Sequence, residues 1–71
     1  MLLIMKEEFV KAYNKACVIA ENRYREVYNW HNYNINIHDI DESGMTFQFE
    51  EFSRGCHTSS EYVTVGWEEL S

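Results

Sequence analysis

The chain has 71 residues, of which 45% are hydrophobic and none is proline, and its formal net charge is −6 at pH 7. A chain this short leaves no room for a linker or a second domain, because one core of this size already has only a few kcal/mol of margin, about 3–5. We therefore predict one domain over residues 1–71. Five Tyr, four Phe and two Trp provide large apolar surfaces and argue against a disordered chain.

The first residues and the cysteines bear on the compartment. The opening MLLIM is too short for the apolar region of a signal peptide and runs directly into Lys6, Glu7 and Glu8. We expect a cytoplasmic protein with no membrane contact. Cys17 and Cys56 lie far apart in the chain, and in such a compartment we expect both thiols to be reduced.

Charge is distributed unevenly along the chain. Residues 1–29 carry five basic and four acidic side chains, whereas residues 30–71 carry one basic and eight acidic ones, a net charge of −7. Direct binding to nucleic acid needs cations for the phosphates, which the second part lacks. The acidity favours a basic protein as partner, although acidic side chains also serve simply to keep a small domain soluble.

The first predicted element is an α-helix over about residues 5–30. Hydrophobic residues recur there at intervals of three and four, and neither glycine nor proline interrupts the pattern. The stripe consists of Phe9, Tyr13, Ala16, Ala20, Tyr24 and Val27, widened by Val10, Cys17 and Tyr28. The opposite face is charged, with Glu7–Lys11 and Glu21–Arg25 in the favourable i, i+4 order.

Three strands follow, over about residues 33–40, 45–52 and 61–67, each with alternating polar and apolar residues. The apolar residues, among them Phe47 and Phe49, are predicted to face inward. The predicted outward residues are Asn34, Asn36, His38, Thr46, Gln48, Glu50, Tyr62 and Thr64. Asparagines at 29, 32, 34 and 36 suit the exit from the helix, and Gly44 suits a turn with positive φ. The alternation slips at Phe52, so we predict a β-bulge near Glu50–Glu51 that turns Phe52 inward. Residues 53–60 are predicted to form a loop, in which Arg54 pairs with Glu50 or Glu51.

This order predicts an α+β fold in which one long N-terminal helix packs on one face of a three-stranded antiparallel meander. A helix of about 25 residues is roughly 37 Å long, whereas a seven-residue strand spans roughly 23 Å, so the helix must overhang the sheet, kink or contact another molecule. Apolar residues at both helix ends make a homodimer a candidate assembly. The start contributes Leu2, Leu3 and Ile4, and the predicted oligomer interface at the end consists of Tyr24, Tyr28 and Trp30.

Catalytic and metal-binding patterns are weak. Cys56 and His57 are adjacent, and adjacent side chains diverge in an extended segment and chelate a metal poorly. The paired carboxylates fall in turns, at the predicted bulge and at the C-terminal end, away from any predicted cleft. We predict no enzyme, no metal and no cofactor, and a metal or redox protein that uses Cys56 and His57 remains the third alternative.

The outward face of the sheet has no second helix to cover it, and we expect it to meet a partner. The predicted partner-binding residues are Asp39, Asp41, Glu42, Glu50, Glu51, Glu61 and Tyr62.

In size, acidity, aromatic content and lack of a catalytic motif, the chain resembles small accessory proteins of phages and mobile elements, including anti-CRISPR and anti-restriction proteins. The resemblance carries over no functional residue and implies an inhibitor of a basic, nucleic-acid-binding host protein such as a CRISPR effector, located in the host cell cytoplasm if a phage encodes it. The alternative is a homo-oligomeric structural or regulatory protein that assembles through the aromatic helix.

Overall fold

The fold was described from a computed structural model, which covers residues 2–70, with side chains from Lys6 to Leu70. One helix, α1 (Leu2–Tyr28), is followed by strands β1 (Tyr33–Asp41), β2 (Gly44–Ser53) and β3 (Cys56–Gly66) and by a 3-10 helix (Trp67–Leu70). The strands form an antiparallel sheet in the order β1-β2-β3. The predicted α+β fold is confirmed. The expectation for Leu2, Leu3 and Ile4 concerns side chains outside the described residues.

The middle of the helical stripe forms the contact with the sheet. Ala16, Ala20 and Tyr24 are fully buried. The two alanines let the helix backbone approach the phenylalanines of β2 closely, and Tyr24 lies parallel to Phe49 with ring centroids 4.2 Å apart. Asn29 ends the helix in the left-handed conformation, with φ of 52°, and its N–H donates to the Arg25 carbonyl at 3.1 Å, as in an αL C-cap.

The strands are longer than predicted because both connections are two-residue turns. Arg54 and Gly55 have φ of 55° and 79°, the left-handed values that a type I′ hairpin requires at both central positions. The predicted loop over 53–60 is therefore wrong, and residues 56–60 belong to β3. Arg54 is exposed and forms no ion pair with any described carboxylate, so the predicted pairing with Glu50 or Glu51 is also wrong.

Two bulges modify the register. In β1, Ile37 faces Phe47 and Asp39 faces Thr46, which leaves His38 as the extra residue. In β3, the register shift falls opposite Glu51 and Phe52 and makes Thr58 the extra residue. The predicted bulge in β2 is therefore wrong, since the extra residue lies on the neighbouring strand. Phe52 keeps the outward position, where its ring lies 5.7 Å from that of His57.

The C-terminal 3-10 helix fastens the far end of β3 to the rest of the molecule. Leu70 packs against the core, and Glu69 forms an ion pair with Arg23 of the helix. Arg23 also donates from Nη1 to the Thr64 carbonyl at 3.1 Å, and the Trp67 indole N–H donates to the Asp41 carbonyl at 2.7 Å. Arg23 therefore binds one carbonyl at the edge of β3 and Trp67 ties the C-terminal end to β1, whereas the residues of β1 from Asn36 onward are exposed.

The helix overhangs the sheet, as its length requires. Its 27 residues correspond to roughly 40 Å, and the molecule measures 46 × 20 × 17 Å along its principal axes. The helix packs mainly on β2 and β3. Phe9 and Val10 on the overhanging part and Ile37 and Ile40 on β1 consequently remain exposed.

Gly44 is the position where the fold depends most directly on a glycine. Its φ is 147°, and a Cβ built on it lies 2.1 Å from the Val65 carbonyl oxygen. We expect Gly44→Ala to lower the free energy of unfolding by about 3 kcal/mol, which for a domain of this size lowers Tm by roughly 12–24 °C. Gly55→Ala is the matched control, because a Cβ there meets no atom within 4 Å and costs only about 1–2 kcal/mol. Equal losses in thermal unfolding would contradict the steric explanation.

Candidate protein-interaction face

The sheet face opposite α1, which we call the outer face, is the candidate site. Strand alternation directs one set of side chains away from the helix, and among the described residues no helix or strand lies over them. The set comprises Asn34, Asn36, His38, Asp39, Thr46, Gln48, Glu50, Phe52, His57, Ser60, Tyr62 and Thr64. The outward positions inferred from sequence alternation agree with this register.

Hydrogen bonds between side chains connect the three strands across the outer face. Asn36 Nδ2 donates to Glu50 Oε1 at 2.7 Å, and Gln48 Nε2 donates to Ser60 Oγ at 3.2 Å. Ser60 Oγ is also 3.1 Å from His57 Nε2. Near the other end of the sheet, Thr46 and Thr64 share a hydrogen bond of 2.8 Å. These bonds hold the side chains in fixed positions before any partner arrives, which lowers the entropy cost of binding.

Aromatic rings lie among these polar groups. The rings of His38 and Tyr62 are 4.7 Å apart, although the two residues belong to the two outer strands and have β2 between them. Gln48 Nε2 lies 3.5 Å from the Tyr62 hydroxyl. Tyrosine is common at the centres of protein interfaces, because it combines a large rigid ring with a polar end.

Part of the predicted acidic set borders the outer face. Glu50 is half-buried on the face itself, and Asp39 faces Thr46 at its rim, where its carboxylate accepts the Ile40 N–H at 2.9 Å. Asp41 and Glu42 lie at the β1–β2 turn and are exposed. Hydrogen bonds from the side chain and backbone of Ser43 lower the pKa of Asp41 below its usual value, so this carboxylate is ionised and fixed in the turn.

The other two predicted acids, Glu51 and Glu61, lie on the opposite side of the sheet, beside the helix. Glu51 Oε1 accepts a hydrogen bond from Ser59 at 2.5 Å, and Glu51 Oε2 accepts one from the Tyr24 hydroxyl. The Ser59 bond and then the Tyr24 bond lower the pKa of Glu51. Glu61 faces Phe49 across the ladder, and its negative charge is the main cause of the raised pKa of Tyr28. These two carboxylates are engaged with the helix and are not part of the outer face.

The three residues of the predicted oligomer interface also differ in their exposure. Tyr24 is fully buried, so its ring offers no surface to another molecule, and its placement in an interface has to be corrected. Burial and then the hydrogen bond to Glu51 raise its pKa strongly. Tyr28 and Trp30 are exposed, and the Trp30 indole N–H donates to the Asn32 carbonyl at 2.9 Å.

The cysteines and histidines do not come together. Cys17 lies half-buried on the helix, where burial raises the pKa of its thiol, and Cys56 is exposed at the start of β3. No three His, Cys, Asp or Glu side chains of the described chain are placed so that they could hold a metal. Over the described residues, α1 is not apolar enough to cross a bilayer.

Sequence reasoning missed Phe52, His57 and Ser60 as members of the outer face. The first was expected in the core, and the other two in a loop. The available signal was the dipeptide Arg54–Gly55 between two alternating segments, since a glycine in a two-residue connection is typical of a tight hairpin. A hairpin there continues β3 back to Cys56 and directs His57 and Ser60 outward.

The carboxylate of Glu51 makes stability depend on pH. Because its folded pKa lies below the usual 4.5, its contribution is fully present above that value and is lost as the pH falls through the folded pKa. We expect Glu51→Gln to lower the free energy of unfolding at pH 7 by about 1–2 kcal/mol, and this difference from the wild type should shrink at acidic pH. Urea unfolding measured at a series of pH values tests this.

Glu42→Gln is the control for that measurement, because it removes one charge from an exposed side chain that has no hydrogen bond in the described structure. It should change stability little at any pH. A Glu51→Gln loss that is the same at low and neutral pH would mean that the ionised carboxylate is not responsible.

Comparison with known proteins gives no indication of a family or a function. No match was found to any protein-family model, curated protein or solved structure.

Proposed function

We propose that the protein is a small binding module that docks a basic protein partner on the outer face of its sheet. The observation that carries this proposal is the ordered polar network on a face that no described element covers. Three strands present amide, hydroxyl, imidazole and carboxylate groups there, held by bonds such as Asn36–Glu50 and Gln48–Ser60. A surface with this much fixed hydrogen-bonding capacity suits a flat protein partner.

Charge supports a basic partner. Glu50 and Asp39 lie on the outer face, and the exposed Asp41 and Glu42 extend the same negative region to the β1–β2 turn. Arg54, in the β2–β3 turn, is the one basic residue after position 30. A negative surface of this kind speeds the approach of a positively charged protein and disfavours acidic ones.

The partner class that we propose is a nucleic-acid-binding protein, which the module inhibits by occupying its phosphate-binding groove. Such grooves are lined with Lys and Arg, and carboxylates compete there with phosphates. Host nucleases such as CRISPR effectors belong to this partner class, and the proposed module is an inhibitor of the phage type directed against such a nuclease. The resemblance in size and acidity motivates this part of the proposal, and the charge of the outer face is compatible with it.

The His57–Ser60 pair does not lead us to propose catalysis. Nucleophilic catalysis by such a pair needs a third group that orients the histidine and donors that stabilise an oxyanion. The described contacts of the His57 side chain are the Phe52 ring and Ser60 itself, and neither supplies these functions. We interpret the pair as part of the binding surface.

Binding can be tested with the immobilised protein and a panel of purified, basic nucleic-acid-binding enzymes that includes CRISPR effectors and restriction endonucleases. We expect at least one member to bind, to lose affinity as salt rises from about 0.05 to 0.5 M, and to be displaced by its own nucleic acid. Glu50→Lys should weaken that binding at least about tenfold, because it reverses a charge at the centre of the contact. Biolayer interferometry measures all three effects.

Glu8→Lys is the matched control, since it makes the same charge change on an exposed helical residue away from the outer face. The proposal fails if no panel member binds, or if Glu8→Lys and Glu50→Lys weaken binding equally, which would indicate a general charge effect. Far-UV circular dichroism checks that both variants keep the fold.

A further inference from the structure

Two exposed apolar side chains outside the outer face have charged surroundings of opposite sign. On the overhanging part of α1, Val10 lies in a shallow depression of about 450 Å3 that is also lined by Lys6, Glu7 and Lys11. We call this surface the basic patch. On β1 and its turn, Ile40 has acidic neighbours in the sequence on both sides. Ile40 lies on the helix side of the sheet, as its cross-strand partner Met45 does, whereas Asp39 lies on the outer face, and both border the free edge of β1. We call this end of the edge strand the acidic knob. Its acidic members are Asp39, Asp41 and Glu42.

Neither surface is covered within one chain. Val10 is 44% exposed and Ile40 is 42% exposed, so the two do not bury each other. Lys6 and Lys11 form no ion pair with any described residue. The basic patch carries two positive charges against that of Glu7, and the acidic knob carries three negative ones. Each surface therefore has an exposed apolar residue, and the charged groups near the two residues have opposite net signs.

We infer that two copies of the chain form a closed dimer in which the acidic knob of each copy docks on the basic patch of the other. Ile40 of one copy packs on Val10 of its partner, while Lys6 and Lys11 reach across the edge of β1 to its carboxylates. A two-fold axis makes this contact twice, so each copy contributes one knob and one patch. The contact uses Asp39 at the rim of the outer face together with Asp41 and Glu42, leaves Glu50 and Tyr62 uncovered, and does not depend on the proposed function.

Charge exchange between two variants tests this arrangement. In the first variant, Lys6→Glu and Lys11→Glu make the patch acidic, so both surfaces are negative. In the second, Asp39→Lys and Glu42→Lys make the knob basic, so both are positive. Each variant alone should self-associate at least about tenfold more weakly than the wild type. An equimolar mixture should form a heterodimer, because opposite charges then meet at both contacts.

Sedimentation velocity from about 5 µM to about 1 mM, with the purified protein and no partner, measures these effects. The wild type should form a dimer that weakens with salt, and Val10→Ser or Ile40→Ser should give a folded monomer. Val18→Ser is the control, because Val18 is 59% exposed on a different part of the helix and should leave the dimer unchanged. Circular dichroism confirms that each variant is folded.

Several results would overturn the inference. A wild-type chain that stays monomeric over this range has no such contact, and open-ended assemblies mean that the contact does not close into a dimer. Charge variants that each dimerise as the wild type does, or a mixture that forms no heterodimer, show that the knob and the patch do not meet. Failure of partner binding in the interferometry experiment has no bearing on these results, since no partner is present.

Discussion

The parallel stack of Tyr24 on Phe49 is the contact on which the arrangement of helix and sheet depends. The centroids are 4.2 Å apart with 2° between the ring planes, and both rings are fully buried. The Tyr24 hydroxyl donates a hydrogen bond to the Glu51 carboxylate. The ring of Tyr24 therefore contributes buried apolar surface while its polar atom has a hydrogen-bond partner. With the helix fixed to this side of the sheet, the other side of a three-stranded sheet has no further element of the described chain to cover it.

The small size of the core also explains why several apolar side chains remain exposed. Among the described helical residues, those that pack on the core of the sheet lie between Ala12 and Tyr24, where the alanines at 16 and 20 allow close approach. Helix stability needs length, whereas a short meander offers a limited face. The overhang therefore follows from joining these two elements in 71 residues. It leaves Val10 exposed near one end of the molecule, while β1, which the helix hardly reaches, leaves Ile40 exposed.

The helix could be predicted from sequence, and so could the side chains of each strand that face the core, because both follow from a periodicity that local residues determine. The stripe through Ala16, Ala20 and Tyr24 and the inward Phe47 and Phe49 are such features. The bulges at His38 and Thr58 could not be predicted, since a bulge depends on which residues face each other across two strands. The slip at Phe52 was visible in the alternation, but one strand alone does not show which partner carries the extra residue. The turn at the end of β1 was predicted correctly. The prediction placed all the acidic residues on one surface, however, and did not separate those that face outward from those that face the helix.

Strand alternation also limits how much charge the chain can bring to a partner. Glu50 and Glu51 are adjacent in sequence, yet one accepts a hydrogen bond from Asn36 on the outer face and the other holds Tyr24 beneath the helix. Glu61 likewise faces inward. A net charge of −7 over residues 30–71 therefore overstates the field at the outer face, because these inner carboxylates act from the far side of the sheet. Charge can assist the approach of a basic partner, but discrimination between such partners must come from the fixed amide, hydroxyl and aromatic groups around Tyr62, whose geometry the network determines in advance.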